Sequence, residues 1–293
     1  MNKLSTYIPS LIISVLLVLT LIGSSAAVTA DVSINSSSAR ALALEKNLGE
    51  VAQNELEMYY HKRYGSSGIP VDVYTSALTV DYIVRCENAC IEQGFYGLEY
   101  GEDPEMKIPA NERLEDNITK FFNNYAEKEG YKKDKNFAQK IDSSIKSAYS
   151  AIQDYTDVYK ISALSEHKVL RKLSKLYKVK DIVTICSVSA VVFFVFLLIL
   201  INRKKKITVL YWAGISAMIA GASGWISSAV LLSMKYFDSF SIKQPAVFLA
   251  YTGAMYKMTQ AFMRISAALT VSGICLVIVY AFIINKSSEK EKK

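Results

Sequence analysis

The chain has 293 residues, 51% of them hydrophobic and 21% charged, with a mean hydropathy of +0.19. It is too apolar for an ordinary soluble protein and too charged to lie wholly in a membrane, so apolar spans must be joined to one aqueous domain. The net charge of +7 does not point to nucleic acid, because basic residues gather beside the apolar stretches, at Arg203, Lys204, Lys205 and Lys206 and at Lys286, Lys290, Lys292 and Lys293. Membrane orientation and anionic head groups select cations at such places.

The first apolar stretch, residues 8–27, has two readings. Lys3 supplies a positive start, residues 11–22 an apolar centre, and Val28, Thr29 and Ala30 a small-residue cleavage signal, which together describe a signal peptide. The same stretch is long enough to remain as a signal-anchor, and the distance from Ile22 to Ala30 favours that reading. Either way, the 150 residues 31–180 that follow are exported.

Within them, Leu44, Leu48, Val51, Leu56 and Tyr59 recur at roughly helical spacing, predicting one helix over 41–60. The run Gly65, Ser66, Ser67, Gly68 breaks it, and a short helix is expected from Pro70, since proline suits a first turn. A further helix is predicted over 81–93, ending at Gly94. Residues 95–109 read as loop, punctuated by Gly97, Gly101, Pro104 and Pro109 and charged by Glu99, Glu102, Asp103 and Glu105. The clearest helix follows, with Leu114, Ile118, Phe121, Phe122 and Tyr125 as its apolar stripe and Gly130 as its stop.

The last exported segment reads as one long helix. Ile141, Ile145, Ala148, Ile152, Tyr155 and Tyr159 approximate a heptad seam, and Leu170, Leu173 and Leu176 continue it into the second span. The part before Gly130 is acidic, whereas Lys132, Lys133, Lys135, Lys140 and Lys146 are basic. Packing of one against the other is preferred here to an anionic-ligand site.

Three more apolar stretches, 182–201, 207–234 and 262–284, match the roughly 20 residues needed to cross about 30 Å of hydrocarbon. The start of the chain, the 203–206 loop and the 286–293 tail then fall on one side, which their cations make cytoplasmic. The basic flank from His167 to Lys180 cuts against this, but charges in a long translocated domain count little toward orientation. The expected fold class is all-α: a four-span helical membrane protein with a helical-bundle extracytoplasmic domain inserted between the first and second spans. Its segments are 1–30, first span; 31–180, extracytoplasmic domain; 181–202, second span; 203–206, cytoplasmic loop; 207–234, third span; 235–261, outer loop, interfacial in part; 262–285, fourth span; and 286–293, cytoplasmic tail. The signal-like start and Lys-rich tail fit the plasma membrane of a bacterium.

Few constellations carry chemistry. Cys86 and Cys90, four apart in an exported domain, suggest a disulfide, but at that spacing on a regular helix the Cα separation sits near the upper limit of about 6.8 Å. Two buried thiols are the equal alternative, and a metal or redox site a distant third, because only His61 and His167 are available as partners. Cys186 and Cys275 lie in spans and read as core residues. In the third span Ser216, Ala220, Gly224 and Ser228 form a small-residue row suited to close helix packing, with Ala213, Ala217 and Gly221 beside it. Arg264 is an intramembrane charge placed to snorkel toward the interface. Asn35 and Asn117 head glycosylation patterns. Catalytic motifs, metal sites and cofactor-binding loops are not recognised. The function expected is therefore that of a non-enzymatic plasma-membrane protein whose outer domain binds a ligand or partner protein, as an accessory or scaffold subunit. Its partners would be the lipid bilayer and either a membrane or extracellular protein or further copies of the chain, with no nucleic acid and no cofactor. An oligomeric small-solute transporter or channel is the runner-up, and an envelope enzyme of unrecognised type the third reading.

Overall fold

The computed structural model describes residues 4–104 and 106–291. Lys3, Glu105, Lys292, Lys293 and the Lys290 side chain, invoked above, lie outside this description. The fold is all-α, with no strand among the described residues. Four helices are long and apolar enough to cross a membrane. The chain divides into two units: an apolar one, residues 1–34, 178–239 and 255–293, and a polar one, residues 35–177 and 240–254.

The apolar unit is built on α1 (Leu4–Ser33), most of α9 (Val169–Ile201), α10 (Ile207–Ser233) and most of α11 (Pro245–Glu291). Lipid offers no hydrophobic drive for helix association, so these helices rely on close approach and shared hydrogen bonds. Both are present. Ser14 and Ser216 pair their hydroxyls at 2.6 Å between α1 and α10. Asn202 donates its amide to Ser10 Oγ at 2.9 Å, and Lys180 reaches Asp31 at 2.6 Å. Around these bonds Leu17, Leu198, Trp212, Ala217 and Ala220 form an apolar core.

The polar unit contains α2 (Ser36–Glu45), α3 (Leu48–Ser67), α4 (Asp72–Thr75), α5 (Val80–Tyr100), α6 (Glu112–Glu129), α7 (Lys135–Thr156) and α8 (Ile161–Glu166). Its core gathers Leu48, Leu56, Ile83, Cys86, Leu114, Ile118 and Ile152, each fully buried. The helix ends are specified locally. Asn35, Thr79, Asn111 and Asp134 cap α2, α5, α6 and α7 by accepting the amide of the residue three along. Gly68, Gly101 and Gly130 end α3, α5 and α6 in the left-handed region, which glycine enters without steric cost.

Several expectations are corrected. The helix expected over 41–60 is two helices, because Asn47 sits left-handed at φ 49° and turns the chain between α2 and α3; asparagine tolerates that conformation better than most residues. Residues 95–100 are helix rather than loop, since α5 runs through Gly94 and Gly97 to Tyr100. Those glycines admit neighbours: a Cβ on Gly94 would lie 1.9 Å from Ile161 Cδ1, and one on Gly97 would lie 3.0 Å from Leu170 Cδ2. The long final helix is broken where Lys160 and Lys168 turn left-handed, leaving Leu170 buried but Leu176 71% exposed. Tyr125, the last member of the α6 stripe, is also exposed.

The outer loop expected over 235–261 is largely helix. A short 3-10 turn at Tyr236–Ser239 leads to α11, which begins at Pro245 and gives its first ten residues to the polar unit. There Ala246 and Ala250 are fully buried in the core, and Glu55 of α3 accepts the Ala246 amide at 3.1 Å. A carboxylate at a helix start satisfies an amide that has no partner in its own helix and meets the positive end of the helix dipole. The start of α11 is thus packed in the polar unit's core.

Candidate functional site: an open cleft in the polar unit

Four helices that meet around Tyr60 leave an open cleft of about 450 Å³. Its floor is aromatic. Tyr60 of α3 and Tyr74 of α4 stack with ring centroids 4.1 Å apart and planes 7° from parallel, and both are buried. The Tyr60 hydroxyl reaches Ala148 O at 3.5 Å; burial pushes the hydroxyls of Tyr60 and Tyr74 above the usual tyrosine value, so both stay protonated. Phe122 of α6 and Ile69 of the α3–α4 turn complete the apolar wall.

The rim is cationic and hydroxylic. Arg63 stands one turn beyond Tyr59 on α3, its guanidinium 5.8 Å from that ring and hydrogen-bonded to its hydroxyl. Across the opening, Lys140, Ser143, Ser144 and Ser147 occupy one face of α7, and Ser67 closes the end of α3. Among the described residues the lining contains no carboxylate. Among the described residues the one ion pair from the basic segment to α6 is Lys133–Glu127, and Lys146 pairs with Asp142 in its own helix. Charge-matched packing of the basic segment on the acidic one therefore does not account for Lys140.

A second, smaller cavity of about 190 Å³ is lined by Ala43, Asn47, Gly49, Val84 and Glu87 among others. Glu87 of α5 is 2% exposed and its Oε1 has no hydrogen-bond partner. Burial alone raises its carboxyl to about 7, far above the ordinary glutamate value.

The residues singled out in the sequence fall in separate places. Cys86 and Cys90 are unbonded in this structure and buried on α5. Cys90 Sγ lies 3.8 Å from Thr156 Oγ1, and burial pushes the Cys86 and Cys90 thiols up to about 11 and about 12. Such thiols are inert, because the thiolate is the reactive form. Cys186 and Cys275 are exposed on their helices, not core residues. Ser216, Ala220, Gly224 and Ser228 are all buried on α10. Ser216 faces α1, while a Cβ on Gly224 would meet Ser266 and Phe262 of α11. The neighbouring Gly221 meets α11 backbone instead, at Ser266 O and Thr270 N. Arg264 is exposed on α11. Asn35 is spent on its helix cap, and the Asn117 amide nitrogen, the atom a glycan would take, donates to Ser76 Oγ at 2.9 Å. Asp103 of the acidic turn binds Arg171 at 3.2 Å. The described residues hold no group of three or more His, Cys, Asp or Glu placed for a metal.

Among the cleft residues, Phe122 belongs to the α6 stripe, Ala148 to the heptad seam and Lys140 to the basic residues, but no pattern predicts that they share an opening. The Lys140–Ser143–Ser144–Ser147 face repeats at helical spacing and lacks acidic residues. Fold and site together describe a helical membrane protein with a polar all-α unit that carries an open, cation-edged cleft. No family model, curated protein or solved structure matches the chain.

Proposed function

We propose that this is a non-enzymatic plasma-membrane protein whose polar helical unit lies outside the cytoplasm and binds a ligand or partner, with the four apolar helices as anchor and assembly surface. The observation that carries this reading is the cleft. It offers polar side chains that the fold does not consume, beside an apolar floor, which is the ordinary make-up of a ligand site. The orientation we propose rests on Arg203, Lys204, Lys205 and Lys206, since cations in a short loop between spans favour its cytoplasmic side. We also take α1 as a retained first span. Ser14 and Ser10 of α1 bond Ser216 of α10 and Asn202 just beyond α9, so cleavage after Ala30 would remove these two interhelical bonds and leave Ser216 and Asn202 only their own-helix acceptors, Trp212 O and Leu198 O.

Single cysteines at Ser67 and Lys205, in a cysteine-free background, test the topology with an impermeant thiol reagent on intact cells. Labelling at Ser67 and not at Lys205 is expected; the reverse overturns the orientation. Mild detergent extraction should recover the protein with a second subunit or in multiple copies. A lone monomer with hydrolytic activity would sink the accessory-subunit reading.

A further inference from the structure

We propose that the α3–α4–α6–α7 cleft binds a small anion that carries a ring, a phosphorylated or carboxylated sugar or nucleoside. This rests on reading the cleft as the ligand site of the polar unit, and it names what that site selects.

Three features converge on the class. The first is charge. Arg63 and Lys140 edge the same opening, and neither forms an ion pair among the described residues. Some cations elsewhere in the unit are taken up by carboxylates, Arg40 by Glu92, Lys160 by Asp154 and Arg171 by Asp103; Arg63 and Lys140 are distinguished by edging one opening together. Arg63 is held by Tyr59 through one nitrogen, Nη1, so its planar fork keeps other donors for an oxyanion.

The second feature is the hydroxyl row. Ser143 turns its hydroxyl back to Lys140 O at 3.0 Å, and Ser67 accepts the Ile69 amide at 3.3 Å while keeping its own proton to donate. Ser144 and Ser147 have no such engagement among the described residues and lie half-buried in the lining. Hydroxyls that rotate freely at a cationic rim suit the several oxygens of a phosphate or carboxylate, or the hydroxyls of an attached sugar.

The third is size and floor. At about 450 Å³ the cleft falls within the range of small-molecule sites. It exceeds what a bare inorganic anion fills, and Phe122, Ile69 and the Tyr60–Tyr74 stack give the remaining space an apolar lining. A ring fits that lining while its anionic group reaches the rim. A purely apolar ligand would leave both cations unpaired, and a bare anion would leave the floor in water.

The test uses the full chain in nanodiscs of zwitterionic lipid at low salt. Titration calorimetry compares AMP with adenosine and glucose 6-phosphate with glucose. At least one phosphate compound should bind, with its neutral counterpart at least about tenfold weaker, since a charge-assisted hydrogen bond is worth about that factor. Arg63→Gln and Lys140→Gln should each raise the Kd of that compound about tenfold without changing the melting temperature, and Arg63→Lys should recover part of the loss. Ser144→Leu, which fills the half-buried lining, should abolish binding. If neutral compounds bind as tightly as the anions and Ser144→Leu removes both, the cleft is a ligand site without anion selectivity and the proposal is overturned. Absence of binding by all four at about 1 mM overturns it as well. The cysteine-labelling experiment is independent of these compounds, so failure of the outer-domain reading is told apart from failure of the anion preference.

Discussion

A Cβ added to Gly221 would lie 2.5 Å from Ser266 O, Thr270 N and Thr270 Oγ1 on α11, whereas ordinary contact begins at 3.4 Å, a deficit of 0.9 Å. Two of those three atoms are backbone, so no side-chain rotation relieves the clash and the helices must part by about that distance. Gly214 and Gly273 lie on the same seam, each within 3.0 Å of backbone opposite, so the separation would loosen the contact along its length. Overpacking of this kind costs about 1–3 kcal/mol, which at about 2–4 °C per kcal/mol is a fall of about 2–12 °C in melting temperature. Gly224→Ala should cost less, because its nearest neighbour is Ser266 Oγ at 2.4 Å, the end of a side chain that can turn away. Gly23→Ala, with nothing within 4 Å, is the control and should be neutral or slightly stabilising. Trp212 and Trp225 both sit on α10, so intrinsic fluorescence during thermal unfolding in detergent reports on this helix directly. Equal melting of Gly221→Ala and Gly23→Ala would show that α10 and α11 are not in close contact, and the packing argument for the apolar unit would fail.

Two further outcomes concern the polar unit. Glu87 binds its proton more tightly when folded, at about 7 against 4.5, so stability should fall as pH rises through that window and level off above it. The difference of about 2.5 units corresponds to about 3 kcal/mol at pH 8. Glu87→Gln should therefore exceed the wild type in stability at pH 8 and match it near pH 4.5; parallel pH profiles in calorimetry would refute the burial of an unpaired carboxyl. Cys86 and Cys90 should resist alkylation at pH 8 in the native protein and react after denaturation, as mass spectrometry of the α5 peptide will show. Rapid native labelling at either would mean that α5 does not face the core.

Much of the architecture is legible along the chain because it depends on local properties. Hydropathy over about 20 residues marks an element able to cross a bilayer without reference to any neighbour. The α6 helix likewise carries its own signals, an Asn111 cap, a buried Leu114–Ile118 stripe and a left-handed Gly130. Glycine is where local reading fails, since one residue serves opposite ends. Gly130 ends a helix, whereas Gly94 sits inside one because Ile161 lies where its side chain would be. The extension of α11 to Pro245 is also a tertiary matter, as Glu55, 191 positions away, caps it, and Ala250 has a core to enter. The cleft shows the same division. Lys140 and its serines are visible as one face of a helix, but Arg63, Tyr74 and Phe122 join them only because α3, α4 and α6 pack beside α7. Composition predisposes each helix; which cations stay unpaired, and which hydroxyls share one opening, is decided by what packs opposite them.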